Sequence, residues 1–238
     1  DKKSWLWVVV TQMVTVYKIA ESRAGKEAKA LLGETSKGIV GSDRFSAYNW
    51  LANQLRQICW AHLVRDFQKI LEREGASGVI GRHLRQEGEE VLALWARIRD
   101  GTLSHADFQA KLPDIKDRIH FWLSVGASCP HKKTSKTCSR ILNVEPALWT
   151  FAAHSGVEPT NNCAERALRT AVIWRKISFG TQSDSGSRFV ERILTVVETC
   201  RQQDRNPLDF LRHTVIAHRT GQSIPSLLPD TRLCYSTP

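Results

Sequence analysis

Two carboxylates in this 238-residue chain stand where a strand end or a helix start would hold them still: Asp43, in the run G-S-D-R-F-S-A-Y, and Glu165, in V-E-P-T-N-N-C-A-E-R-A-L-R. Carboxylates are hard oxygen donors suited to Mg²⁺, and a cluster of them around two divalent ions activates water or a hydroxyl for attack on a phosphodiester. Each also has a plainer reading. On the local pattern alone Glu165 is a capping-box residue, and Asp43 a solvated turn or cap residue.

The elements that must position them can be read from the flanking residues. Ala164, Ala167, Leu168, Ala171 and Val172 recur at helical spacing, so the sequence predicts a helix with Asn162 as its cap. Glu165 then takes the third helical position, facing the free amides of the first turn. Upstream, Trp5 to Thr11 and Met13 to Ala20 read as a two-stranded hairpin, and Ser22 to Gly33 as a helix with Ser22 as cap and Gly33 as stop. A strand over 38–42 delivers Asp43 at its carboxyl end, and a short helix over 47–52 leads to a strand over 56–61. The 122 positions between Asp43 and Glu165 are too many for a loop. From Gly78 to His154 the periodicity is helical, with a capping box at Ser104 and Asp107, an interruption at Pro113, and tryptophans that read as core.

Composition limits the rest. A formal charge of +10 and a pI near 9.6 point to a polyanionic partner such as nucleic acid. No apolar run reaches bilayer length, and no signal peptide opens the chain, so the reading is a cytoplasmic protein with six reduced cysteines. Cys59-x-x-His62 and Cys129-x-His131 lack second pairs at zinc spacing, so no zinc site is expected. His62 reads as a packed or capping group. Between Ser128 and Val144 there is no acidic residue, while Lys132, Lys133, Lys136 and Arg140 accumulate. That stretch reads as a loop, either binding DNA phosphates or simply solvated. Past Glu165, Trp174, Arg175 and Lys176 are candidates for the DNA backbone, and Asp184 is structural. A long helix follows with Phe189, Ile193, Leu194, Val197 and Cys200 inward, then a last helix from Asn206-Pro207 and an irregular tail over 224–238.

The phrase T-N-N-C-A-E-R-A-L-R resembles the signature around the catalytic glutamate of the insertion sequence 66 family of bacterial DDE transposases. W-L-W-V-V-V-T (5–11), G-S-D-R-F-S-A-Y (41–48), C-W-A-H-L-V-R-D-F (59–67) and W-R-K-I-S-F-G-T (174–181) resemble the same family in the same order. The resemblance implies that Asp43 and Glu165 are the second and third acids of a catalytic triad and ligate Mg²⁺ or Mn²⁺, two ions in the intact enzyme. It implies an α/β fold, an RNase H-like mixed sheet with a large all-helical insertion and a helical C-terminal part. The expected division is 1–62 for the first part of the sheet, 63–156 for the insertion, 157–203 for completion of the catalytic domain and 204–238 for the last helix and tail. The expected partner is DNA, both transposon ends and target, bound through Arg166, Arg169, Arg175, Lys176, Lys132, Lys133 and Lys136. A homo-oligomer, accessory element-encoded proteins and a place at the nucleoid are expected with it. The first strand and its Asp are expected upstream of this chain, Asp1 being a poor substitute before Lys2-Lys3. Two functions therefore stand: a transposase catalytic fragment, or a catalytically dead DNA-binding remnant.

Overall fold

The computed structural model describes residues 3–34 and 37–228; Asp1 and the tail from residue 229 lie outside them. The chain is mixed α/β and mostly helical, and its described residues form two compact units, 3–34 with 162–228 and 37–161. No helix of the described residues is long and apolar enough to cross a membrane.

In the first unit, β1 (Trp5–Val10) and β2 (Thr15–Ala20) pair antiparallel with Trp5 opposite Ala20, as the Val- and aromatic-rich runs predict. The following helix, α1 (Gly25–Leu32), ends at Gly33, whose φ of 82° suits a residue without Cβ. Ser22 is not its cap: Ala24 holds that position, and the Ser22 hydroxyl instead accepts from the Ala24 amide. Two further helices of this unit, described with the site below, run over Asn162–Ser178 and Asp184–Gln202. The latter lies along β2 and meets its edge with side chains. The amides of Thr15 and Tyr17 donate to the hydroxyls of Thr199 (3.1 Å) and Thr195 (3.1 Å), and that of Ile19 donates to Glu191. Alternate strand residues are about 6.6 Å apart and helix residues four apart about 6 Å, so one polar face matches the strand's unpaired amides. An edge that would otherwise be adhesive is thereby covered. Thr199 also donates to the Thr15 carbonyl at 3.0 Å. Thr199→Val therefore leaves a buried amide and weakens a buried carbonyl, and should lower stability by about 1–3 kcal/mol in a denaturant melt.

The second unit is built on β4 (Arg56–Ile58), which pairs in parallel with β3 (Val40–Ser42), Val40 opposite Arg56. Both strands are shorter than the sequence suggests. The segment between them forms two 3₁₀ turns, Ser46–Tyr48 and Asn53–Leu55, in place of one helix. After β4 come α2 (Trp60–Leu71), α3 (Ala76–Arg99), α4 (His105–Ala127), α5 (Lys132–Leu142), a 3₁₀ turn over Glu145–Leu148, and α6 (Thr150–Ala153). Ile58, Trp60, Leu63, Phe67, Leu84, Val91, Ile115, Ile119 and Leu123 form one core in which strand and helices share side chains. The Ser104–Asp107 capping box forms as expected, with the Asp107 amide 3.0 Å from Ser104 Oγ.

Two expectations fail here. Pro113 does not interrupt α4, because buried Phe108, Leu112, Ile115 and Ile119 pin the face on either side of the missing N–H. The stretch from Ser128 to Val144 is not a loop: α5 buries Thr134, Cys138 and Ile141 on one side. Burial pushes the Cys138 thiol up to about 11 from 9.0, with the neighbouring Cys129 adding to it. Between those values the unfolded chain loses a proton that the folded state keeps. Stability should accordingly be full below pH 9 and decline as pH rises towards 11. Cys138→Ala should remove that component of an alkaline melt series.

Candidate active site

Asp43 sits where the strand pairing predicts, directly after β3. The Cys59 amide extends the ladder by donating to the Ser42 carbonyl at 2.8 Å, so Asp43 and Cys59 mark the carboxyl ends of two parallel neighbours. That end of a parallel pair is where α/β proteins place ligand-binding residues. Asp43 Oδ1 accepts from the Phe45 amide at 2.9 Å, which fixes the carboxylate in a turn.

Charge surrounds it. Arg56 is only 2% exposed, and Asp43 and the Tyr48 phenol are the groups whose fields favour its charged form against its burial. Burial first, and then the charge of Asp43, holds the Tyr48 phenol above its ordinary value, with Arg56 opposing. Nothing in R-Q-I marks a strand arginine as buried beside an aspartate, and sequence reading passed over both Arg56 and Tyr48.

Cys59 and His62 form a pair at the neighbouring strand end. The Cys59 thiol is 1% exposed; burial would raise its pKa, but the His62 side chain and the amides of Asn161 and His62 outweigh burial and hold it below the ordinary thiol value. The C-x-x-H spacing was the signal for this contact, and it makes a hydrogen bond across one helical turn.

The same strand end is stitched to the segment that leads towards Glu165. Gln57 accepts from the Phe151 amide (2.7 Å) and donates to the Leu148 carbonyl (3.1 Å), and the Trp60 indole donates to that carbonyl at 2.8 Å. The Trp60 amide reaches the Pro159 carbonyl (2.9 Å), and the Asn161 amide reaches Cys59 Sγ (3.4 Å).

Glu165 follows four positions later, in the first turn of α7 (Asn162–Ser178). This helix begins one residue earlier than expected, with Asn162 as its first residue, and Glu165 becomes the fourth. Glu165 is half-buried, and Arg166, Arg169, Arg175 and Lys176 are exposed. At 100° per residue, Glu165, Arg169 and Lys176 fall within about 40° of one another on one side of the helix. Trp174 to Lys176 belong to this same helix. Tyr17 of β2 anchors the helix by donating its hydroxyl to the Ala167 carbonyl at 2.9 Å. Val172 was expected inward and is 41% exposed.

In α8 (Asp184–Gln202), Ser183 caps the start and Asp184 lies in the first turn, in keeping with a structural role. Leu194 and Cys200 are buried, whereas Phe189 is 60% exposed. The last helix, α9 (Pro207–Thr220), starts as read, with Asn206 Oδ1 accepting from Leu208 at 2.9 Å. Lys132, Lys133 and Lys136 stand exposed on α5. Asp43 and Glu165 belong to different compact units. Among the described residues no group of three or more His, Cys, Asp or Glu side chains comes together as a metal cluster.

The chain is thus a strongly basic, mixed α/β protein with one carboxylate at the end of a parallel strand pair and a second at the start of an arginine-rich helix. Sequence comparison supplies the family: residues 1–188 match the Transposase IS66 family, and the chain belongs to it. By that membership the chain is part of a DDE transposase family. It is also 27% identical over 261 residues to the uncharacterized protein y4qI of Sinorhizobium fredii (strain NBRC 101917 / NGR234). The match takes in 95% of this chain and 46% of that relative, so the chain spans about half of the relative's length. No solved structure matches.

Proposed function

We propose that this chain is the catalytic part of a transposase that cuts and joins DNA strands, with Asp43 and Glu165 as carboxylate ligands of divalent ions. The observation that carries the reading is the strand end: Asp43 follows β3, and the chain that runs on to Glu165 is fastened to the adjoining end of β4 through Pro159 and Asn161. Both candidates are hard oxygen donors of the kind Mg²⁺ or Mn²⁺ accepts. When bound, two such ions supply Lewis-acid activation of water or a 3′-hydroxyl and stabilise the leaving oxygen.

The chain's own residues do the rest. Phe45 keeps the Asp43 carboxylate oriented, and buried Arg56 offers it a fixed counter-charge. Arg166, Arg169, Arg175 and Lys176 hold the DNA phosphates near Glu165. The RNase H-like reading of the α/β fold belongs to the same proposal. The four-part organisation belongs to the same proposal, as do oligomeric assembly, accessory proteins and action at the nucleoid.

The test is a nicking and strand-transfer assay on element-end DNA with Mg²⁺ or Mn²⁺, using this chain and the chain extended through its upstream reading frame. Metal-dependent cleavage by the extended protein supports the proposal. Salt-sensitive DNA binding without cleavage by either protein supports the remnant reading instead.

A further inference from the structure

We propose that the exposed face of α5 is a docking surface for the phosphate backbone of DNA; this rests on the reading of DNA as the partner and names where it lands. At 100° per residue, Lys132, Lys133, Lys136 and Arg140 fall within an arc of about 100°. All four are exposed. The opposite side carries Thr134, Cys138 and Ile141, each 0% exposed.

Many other helical cations of the described residues are spent on carboxylates: Lys69 on Asp66, Arg85 on Glu89, Arg118 on Glu87 and Glu90, Arg188 on Glu191, and Arg201 on Glu198. Among the described residues, none of the four α5 cations makes such a pair, and no acidic residue occurs from Ser128 to Val144. Lys132 and Lys133 also occupy the first turn, where a cation works against the helix dipole and an arriving anion would relieve it.

The face is rigidly mounted. Thr134 Oγ1 receives a hydrogen bond from Arg73 at 2.8 Å and meets Ser77 Oγ at 2.8 Å, and Ser135 Oγ donates to the Ala127 carbonyl at 2.6 Å. Only four side chains need ordering on contact. From Lys132 to Arg140 the helix rises about 12 Å. Phosphates of one strand recur every 3.4 Å along the duplex axis, so the stripe spans about three or four of them. A membrane surface fits less well, since the apolar side of α5 is already inside the unit and cannot enter lipid.

The experiment titrates a labelled random-sequence duplex with the 238-residue chain between 50 and 200 mM KCl. The comparison is the K132Q/K133Q/K136Q/R140Q variant, in which glutamine preserves length and helix propensity. With about 0.9 of salt slope for each neutralised phosphate, the variant should lose up to about 3.6 of slope, which corresponds to about 150-fold across that salt range. Its melting temperature should not fall. A control with K69Q/R85Q/R201Q, three ion-paired surface cations, should lose less than about one unit of slope. If the chain binds DNA and the α5 variant keeps its slope, the docking surface is overturned while the DNA reading survives. If the unaltered chain ignores DNA at 50 mM salt, the DNA reading itself fails. Binding to phosphatidylserine vesicles that depends on α5, without binding to duplex, would overturn the proposal in favour of a membrane surface.

Discussion

Asp43→Ala and Glu165→Ala should each reduce metal-dependent strand cleavage by the active protein by about a thousandfold or more, equivalent to about 4 kcal/mol of transition-state stabilisation. A carboxylate that ligates such an ion cannot be replaced by water without misplacing the attacking and leaving oxygens. The double variant should be about as impaired as either single one, because groups acting as a unit are not additive. Loss of fold is separable from loss of chemistry. Asp43→Ala removes the turn bond from Phe45, worth about 0.5–1.5 kcal/mol, whereas Asp43→Asn keeps an acceptor there. Asp43→Asn should therefore melt closer to the parent than Asp43→Ala, and Asp184→Asn, in the first turn of α8, should retain full cleavage. Equal loss with Asp184→Asn would mean that negative charge in general, and not these two ligands, is being measured.

Gly81→Ala should destabilise the unit that holds Asp43 by about 3 kcal/mol or more, the upper end of overpacking effects. A Cβ at Gly81 would lie 2.1 Å from the Leu71 amide nitrogen and 2.6 Å from both the Ile70 carbonyl carbon and Leu71 Cα. All three are backbone atoms, so no rotamer change relieves the clash. The end of α2 and the start of α3 approach backbone to backbone at this point, and a methyl group must drive them apart. Gly88→Ala is the milder comparison, since its nearest neighbour is the Val64 side chain at 2.9 Å, which has some freedom to turn. A denaturant titration should therefore rank Gly81→Ala well below Gly88→Ala, and equal midpoints would show that the helices part easily.

Much of this architecture was legible before any coordinates. Alternating Val, Trp and Tyr gave the β1–β2 hairpin, and Asn206-Pro207 gave the start of α9, because backbone restriction and capping act locally. Asp43 could be placed at a strand end for the same reason. What escaped was set by tertiary contact. In α5 the apolar signal is only Cys138, Ile141 and Leu142 among Ser, Thr and Lys, and the helix owes its place to buried Thr134 bonded to Ser77 and Arg73. Pro113 looked like a break because the partners that bury Phe108, Leu112, Ile115 and Ile119 lie far away in sequence. Arg56 and Tyr48 became visible as neighbours of Asp43 only once β4 lay beside β3. Phe189 and Val172 fit a helical stripe yet face outward, since periodicity fixes a face but not what covers it.

That Asp43 and Glu165 each ligate divalent ions is the proposal, and iron-directed cleavage of the polypeptide tests it most directly. Fe²⁺ substituted for Mg²⁺, with ascorbate and peroxide, generates hydroxyl radicals that cut the chain only beside the bound ion. Two sets of fragments are expected from the folded protein, one ending near residue 43 and lost in Asp43→Asn, and one ending near residue 165 and lost in Glu165→Gln. Cuts near only one of the two positions, or cuts that persist in the matching variant, would contradict the proposal.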